Sequence, residues 1–357
     1  MTCGAIGHLF KARGLKEKVY AIYAFLIALN VAAWALAFVA FAQRPLLLGT
    51  ALLAYTFGLR HAVDADHISA IDNVTRKLMQ DRRQPVTVGF FFSLGHSSVV
   101  VALSIAIAVA STVVKGALPA MQSVGGLIGT SISAAFLLLI AAINVVVLAD
   151  IIRTFRAVRR GEPYCERSVD QMLDRRGLVG RFFRPLLKLV DRSWKMYPIG
   201  VLFGLGFDTA TEVGLLGIAA VEASKGLPVY DILIFPLLFT AGMSLLDTTD
   251  GVLMLAAYGW ALVKPIRKLY YNLSVTLVSV LVAVVIGAIE AAGVLASQLR
   301  LYGGLWSVVD SLGRQLGTLG FAIAGVFVAA WGISVAVYRL KRYDEFEVST
   351  DPPPLSS

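Results

Sequence analysis

The sequence predicts an all-α membrane protein with many transmembrane spans, and three observations lead to this fold class. Of the 357 residues, 57% are hydrophobic and only 15% are charged, and the mean hydropathy is +0.75. Soluble domains are about 45–50% apolar, so a chain of this composition needs lipid around it. Apolar runs of about 20 residues, the length that crosses a bilayer as a helix, recur along the chain. The basic residues cluster between these runs.

Eight apolar runs define the predicted spans. They lie approximately at 19–42, 46–74, 86–114, 123–150, 198–222, 230–262, 272–299 and 317–338. We expect them to form one transmembrane domain over residues 1–357, with a basic loop at 153–197. The first run could also be a cleaved signal peptide, but it is longer than the signal-peptide apolar core of about 7–15 residues. An uncleaved span is therefore the preferred interpretation.

The basic residues predict the orientation of the spans. Of the 32 Lys and Arg, 26 lie in the N-terminal segment, the loops 75–85, 153–197 and 263–271, and the C-terminal tail. Five lie on the other side, around 43–45, 115–122, 223–229 and 300–316, and Arg60 lies inside a span. By the positive-inside rule, both termini face the cytoplasm. Because the +9 net charge is spread over loops, we expect contact with membrane lipid and no nucleic-acid partner.

Several functional classes lack their signatures in this sequence. Its two cysteines, Cys3 and Cys165, lie outside the apolar runs and form no CxxC pair. No Gly-Lys dipeptide is present for a Walker A loop, and no His is followed by Glu as a zinc-protease helix requires. We therefore expect that the protein is not an enzyme and that it is a secondary transporter, which requires no ATPase subunit. The alternative is a transporter that receives its energy from a separate ATPase subunit.

Histidine is concentrated inside the predicted spans. Of the four histidines, only His8 lies outside them, whereas His61, His67 and His96 lie within. Ionisable side chains are costly in a bilayer and are rare there unless they serve a function. These three histidines therefore mark the candidate site.

The second span has acids beside its two histidines. On a continuous helix, His61, Asp64 and His67 fall within an arc of about 120°, whereas Asp66 points to nearly the opposite side. Asp66 must then face Arg60, another helix or a hydrogen-bond donor, or the helix must be locally unwound. The sequence leaves these alternatives open.

Three further motifs combine glycine with polar residues inside apolar runs: Phe92–Ser98, Leu205–Glu212 and Gly242–Gly251. Helix rise places all four motifs near the middle of a core about 30 Å thick, as one shared site requires. The glycines allow close helix packing or mark broken helices, and the sequence favours neither. The predicted metal ligands are His61, Asp64, Asp66, His67 and His96. The predicted supporting or pathway residues are Arg60, Ser97, Asp208, Thr209, Glu212, Asp247 and Asp250.

The ligand types restrict the metal. Mg²⁺ and Ca²⁺ prefer oxygen cages, and Cu⁺ prefers Cys and Met, whereas mixed imidazole and carboxylate sets suit Ni²⁺, Co²⁺ and Zn²⁺. The acids of the motifs outnumber the charges of Arg60 and a divalent ion, so we expect proton release when metal binds. The role of Glu290, an acid in the seventh span, stays open.

These motifs resemble the signatures of a known family. The segments Arg60–Ile68, Leu94–Ser97, Leu205–Glu212 and Leu246–Gly251 look like the four motifs of the nickel/cobalt transporter (NiCoT) family. The resemblance covers the whole eight-span layout. It implies high-affinity uptake of Ni²⁺, and often Co²⁺, across the bacterial cytoplasmic membrane, with the metal as transported substrate and no cofactor. It also implies that His61, Asp64, Asp66 and His67 are essential.

Two other functions would use the same residues. An exporter would move the metal outward, and an intramembrane metal-dependent hydrolase would use it to activate water. The sequence does not rank Ni²⁺ against Co²⁺, because selectivity between them depends on geometry. It also does not predict the oligomeric state.

Overall fold

The computed structural model describes residues 13–81, 83–109, 111–160, 190–205, 210–261 and 265–315, together with a few isolated positions between 322 and 333. All regular elements within these ranges are helical, which confirms the predicted all-α class. The helices are α1 (Arg13–Phe41), α2 (Pro45–His61), α3 (Ala65–Gln80), α4 (Val88–Val109), α5 (Ser111–Arg159), α6 (Met196–Gly204), α7 (Ala210–Ser224), α8 (Val229–Ile232), α9 (Ile234–Ala261), α10 (Pro265–Leu299) and α11 (Leu305–Arg314). A 3₁₀ turn, Ser193–Lys195, precedes α6.

Five segments of the described chain are long and apolar enough to cross a membrane, and the bent pair of α2 and α3 would make a sixth. The five are Gly14–Phe41, Val88–Val109, Leu127–Arg153, Val229–Ala256 and Thr276–Leu299. The predicted fifth span falls on α6 and α7, with residues 206–209 between them outside the described part. The predicted eighth span lies almost wholly outside it. The count of eight therefore stays a prediction.

Large apolar side chains cover the outward surface of the helices. On α1, Phe38 is 57% exposed and Val39 is 80% exposed, and Leu46 at the start of α2 is 88% exposed. A water-soluble protein rarely exposes apolar surface in contiguous patches of this kind. Such an apolar surface suits contact with the hydrocarbon core of a membrane.

The second predicted span is broken rather than straight. Pro45 suits the first position of α2, where a missing backbone N–H costs nothing. The chain leaves the helix after His61, passes through an extended Asp64 (φ −65°, ψ 145°) and resumes at Ala65. The two halves meet at 51°. The locally unwound alternative is therefore the one that the structure contains.

The prediction that residues 75–85 form a loop is wrong for their first half. Helix α3 continues to Gln80, and within it Arg76 is 1% exposed and Lys77 is 3% exposed. Both buried cations form hydrogen bonds inside the protein. Arg76 Nη2 donates to Asn73 Oδ1 at 2.7 Å, and Lys77 Nζ donates to the Val190 carbonyl. These two bases are therefore not exposed loop residues.

Two other predicted connections are also helical. Residues 115–122 belong to α5, and residues 265–271 belong to α10. Both segments contain a proline that could end a helix, Pro119 and Pro265. Pro265 begins α10, where it is compatible with helix geometry, and neighbouring helices allow proline inside membrane helices.

Helix α9 lies at the centre of the packing and contacts α1, α2, α3 and α4. One apolar cluster joins it to α1 and α2 through Phe41, Phe235 and Phe239. On the other side, α4 lies directly against α6, where Gly95 and Gly200 face each other's helix. A Cβ on Gly95 would collide with the Tyr197 carbonyl oxygen, and a Cβ on Gly200 would collide with that of Phe92. This contact fixes the position of α4, which carries His96.

Candidate metal site

The three intramembrane histidines come together in one buried cluster. His61 ends α2, His67 lies in the first turn of α3, and His96 lies in the middle of α4. Each offers one nitrogen, and the three nitrogens lie within 4.8 Å of one another. Their side chains are at most 3% exposed. The helix break between α2 and α3 brings His61 and His67 to the same point, with their rings 4.6 Å apart.

The closest pair of rings is His61 and His96. Their Nε2 atoms are 2.9 Å apart. This distance suits a hydrogen bond between a protonated and an unprotonated nitrogen. It is also the separation of two ligands at right angles on one metal, for metal–nitrogen bonds of about 2.0–2.1 Å. The pair is therefore compatible with both an empty and an occupied site.

The other nitrogen of His61 is held by two oxygens. Asp64 Oδ2 lies 2.9 Å from His61 Nδ1, and Thr211 Oγ1 lies 3.1 Å from the same atom. A carboxylate on one imidazole nitrogen orients the ring and makes the other nitrogen a better ligand. Asp64, predicted as a metal ligand, here contacts His61. Thr211 belongs to a motif that the sequence identified, but the sequence did not single it out.

His67 has a similar arrangement. Asp247 of α9 lies 3.3 Å from His67 Nδ1, and both side chains are fully buried. The Nε2 atom of His67 is buried and has no hydrogen-bond partner among the described residues. An unpartnered buried polar atom costs about 1–3 kcal/mol, which a bound ligand would recover. Asp247 thus positions a ring whose second nitrogen is available.

Glu212 of α7 reaches the same cluster. Its Oε1 lies 2.8 Å from His96 Nε2 and 4.0 Å from His61 Nε2, and its side chain is buried. The carboxylate therefore adds an oxygen donor and negative charge between two imidazoles. The sequence predicted Glu212 as a supporting residue, and the structure brings it into direct contact with His96.

Asp66 and Arg60 lie at the edge of the cluster. Asp66 is half-buried, and its Oδ1 accepts a hydrogen bond from the backbone N–H of His67 at 2.9 Å. In the first turn of α3, this carboxylate also suits the positive end of the helix dipole. Arg60 is exposed on α2.

The remaining predicted site residues are distributed as follows. Ser97 is 2% exposed beside His96, and its Oγ has no hydrogen-bond partner within the described chain. Asp250 follows Asp247 on α9, one turn away. Asp208 and Thr209 lie outside the described residues.

Aromatic side chains close the site on two sides. Phe92 packs edge-on against His67 with ring centroids 4.8 Å apart, and Phe239 lies 5.6 Å from His61. Helices α2 and α9 approach closely here, because a Cβ on Gly58 would collide with the Phe239 carbonyl oxygen. The buried histidines are therefore flanked by apolar aromatic side chains. Low dielectric strengthens the attraction between the buried carboxylates and a cation.

The donor set therefore consists of three imidazoles, with Asp64 and Asp247 on the Nδ1 atoms of His61 and His67 and with Glu212 beside Nε2 of His96. Such a set suits Ni²⁺, Co²⁺ or Zn²⁺ and has too few oxygen donors for Mg²⁺ or Ca²⁺. Comparison with known proteins agrees with this chemistry. The family model described as "High-affinity nickel-transport protein" (NicO) matches residues 47–337. The chain belongs to this family. The resemblance found from the motifs is confirmed.

Several relatives are similar over most of their length. A high-affinity nickel transport protein of Cupriavidus necator is 56% identical over 333 residues, covering 93% of this chain and 95% of the relative. The nickel transporter NicT of Mycobacterium tuberculosis is 50% identical, covering 84% of this chain and 80% of the relative. The cobalt transport protein NhlF of Rhodococcus rhodochrous is 39% identical, covering 83% and 84%.

These relatives are named as transporters, in agreement with the expectation that this NicO family member is not an enzyme. No solved structure matches the chain.

Proposed function

We propose that the protein imports Ni²⁺, Co²⁺ or both across the bacterial cytoplasmic membrane as a secondary transporter. The observation that carries the proposal is the buried cluster of His61, His67 and His96 at a helix break. In secondary transporters, broken helices meet near the midplane and bind the substrate there. Membership of a nickel-transport family supports the choice of metal.

The proposed site binds the metal through the three imidazoles. Asp64 and Asp247 orient the rings of His61 and His67 through Nδ1, and Glu212 supplies an oxygen between His61 and His96. Asp66 remains a predicted ligand. It lies in the first turn of α3 and so places a negative charge next to His67. The site lies about 12 Å from the start of α4 and about 20 Å from the end of α3, at 1.5 Å per residue.

The proposed topology has eight spans and cytoplasmic termini. The membrane potential then drives inward movement, because each charge crossing 100 mV gains about 2.3 kcal/mol and a divalent ion gains twice that. No ATPase subunit is required on this account. Ligand nitrogens must be deprotonated to bind metal, so we expect protons to leave as the metal enters.

Metal accumulation in cells tests the proposal. Cells expressing the native chain, His61→Ala or His8→Ala are supplied with Ni²⁺, Co²⁺ or Zn²⁺, and cell metal is measured. We expect accumulation of Ni²⁺ or Co²⁺ with the native chain and with His8→Ala, which removes the histidine outside the predicted spans. We expect background levels with His61→Ala.

The alternatives give different results in the same assay. An exporter would leave His61→Ala cells with more metal than native cells. An intramembrane hydrolase would give no difference in cell metal between the native chain and the variant. Either result would overturn the import proposal.

A further inference from the structure

A second group of buried polar side chains lies beyond the histidine cluster, toward the end of α3. Asp72 and Thr75 are fully buried on α3, five and eight residues after His67. At 1.5 Å per residue, Asp72 lies about 7 Å further along the helix than His67. The sequence did not single out either residue, although an acid inside the predicted span 46–74 was a signal that could have found Asp72.

Helix α9 brings a second acid to the same level. Asp247 contacts His67, and Asp250 follows it one turn later on α9. The Ile71 side chain and the Thr75 hydroxyl of α3 both lie within 4 Å of the place that a Cβ on Gly251 would occupy, so Asp72 and Asp250 lie at the same level of the two helices. The carboxylates of Asp247, Asp250 and Asp72 therefore form a row that begins at the histidine cluster and continues along α3 and α9.

Two oxygens of this group are buried and unsatisfied. Asp250 Oδ2 and Thr75 Oγ1 have no hydrogen-bond partner in the part of the chain that the structure describes. The Thr75 hydroxyl faces Gly251, the neighbour of Asp250, with Oγ1 3.9 Å from the place a Cβ would occupy. Buried oxygens without hydrogen-bond donors are energetically costly. A partly hydrated cation would satisfy them by binding them directly or through its water.

A buried arginine stands one turn beyond Asp72. Arg76 is 1% exposed, and its Nη2 donates to Asn73 Oδ1, which also accepts from Asn144 Nδ2 at 2.6 Å. Arg76 Nε and Nη1 have no hydrogen-bond partner among the described residues. On the helix surface, residues four apart are neighbours, so this fixed positive charge lies near Asp72. It reduces the attraction of the acids for a cation.

We propose that Asp72 and Asp250, with Thr75, form a second metal-binding site, here called the exit station. This site receives the metal from the histidine cluster and releases it to the cytoplasm. Oxygen ligands hold Ni²⁺ less tightly than imidazole does, and the Arg76 charge weakens the station further. Conduction needs sites that bind well enough to accept an ion and weakly enough to lose it. The proposal rests on the proposed import function and assigns its exit.

The test separates binding from transport. Purified native protein, Asp72→Asn, Asp250→Asn and Thr75→Val are titrated with Ni²⁺ by calorimetry, and Ni²⁺ entry is measured in proteoliposomes. We expect the Ni²⁺ Kd of each variant to stay within about twofold of the native value, because imidazole binds Ni²⁺ more tightly than oxygen ligands do and the histidine cluster therefore sets the measured Kd. We expect Ni²⁺ flux to fall about tenfold or more in each aspartate variant and by less in Thr75→Val.

A matched control is available on α7. Glu222 is a buried acid paired with Lys225 at 2.8 Å and lies about 15 Å along α7 from Glu212, at 1.5 Å per residue, so Glu222→Gln should keep native binding and flux. Because Asp72 and Asp250 act on one ion, the double variant should lose no more flux than about the worse single variant.

The results that would overturn the inference are distinct from those that would overturn the function. Native flux in Asp72→Asn and Asp250→Asn would reject the exit station while leaving import intact. Loss of binding together with flux would also reject it, because the acids would then belong to the histidine site or to folding. Absence of Ni²⁺ flux in the native protein would reject the import proposal itself.

Discussion

At the residue scale, the site depends on which imidazole nitrogen each neighbour contacts. The sequence predicted that His61, His67 and His96 share a site, because three ionisable rings in apolar spans are costly without a function. It could not predict that Asp64 contacts His61 Nδ1 or that Asp247 contacts His67 Nδ1. Those contacts depend on tertiary packing of α3 and α9, which residue spacing does not encode.

Glu212 gives a prediction at this scale. Glu212→Gln keeps the size of the side chain but removes the negative charge beside His96 and His61. We expect Ni²⁺ affinity, measured by calorimetry, to fall about tenfold or more, as for other groups that support metal ligands. Glu222→Gln on the same helix is the control. Equal affinity in the two variants would show that the Glu212 charge does not act on the metal.

At the element scale, the bend between α2 and α3 decides the geometry. The arc calculated for a continuous helix does not apply across this bend, because Ala62 to Asp64 leave the helical ladder. The break contains no glycine, so glycine was not the signal for it. The described motif glycines, such as Gly95 and Gly242, instead allow close packing against neighbouring backbone. Of the two readings that the sequence left open, close packing applies to these glycines.

Gly95 gives the prediction at this scale. Gly95→Ala places a methyl group against the Tyr197 carbonyl oxygen, so α4 must move away from α6 and carry His96 with it. We expect destabilisation of about 1–3 kcal/mol, measured as a lower Tm in detergent, together with weaker Ni²⁺ binding. Gly49→Ala is the control, because no atom lies within 4 Å of its added Cβ. Native Tm and affinity in Gly95→Ala would contradict the packing argument.

At the scale of the whole molecule, composition predicted the all-helical class, whereas several helix limits were missed. Residues 75–80 are helical although they contain Arg76 and Lys77. Arg76 Nη2 donates to Asn73 on the same helix, and Lys77 Nζ donates to the Val190 carbonyl of another segment. The predicted orientation still rests on the remaining basic segments, of which 153–197 is the most basic. Positive charge in this loop opposes its transfer across the membrane.

Cysteine labelling tests the orientation. In a Cys3→Ser chain, Cys165 in the basic loop is the remaining cysteine. We expect a membrane-impermeant maleimide to label it in inside-out vesicles and not in right-side-out vesicles. In a chain lacking both native cysteines, Tyr302→Cys should show the opposite pattern, because residue 302 lies in the predicted outer segment 300–316. Labelling of Cys165 from outside would contradict the topology.

The central claim is that the histidine cluster binds the metal that crosses the membrane. Ni²⁺ flux into proteoliposomes with a clamped potential and a metal-sensitive dye inside measures this most directly. We predict flux that increases as the interior is made more negative, and background flux when His61, His67 or His96 is replaced by Ala. Native flux in the His96→Ala protein would contradict the claim, because metal would then cross without the ring that joins α4 to the site.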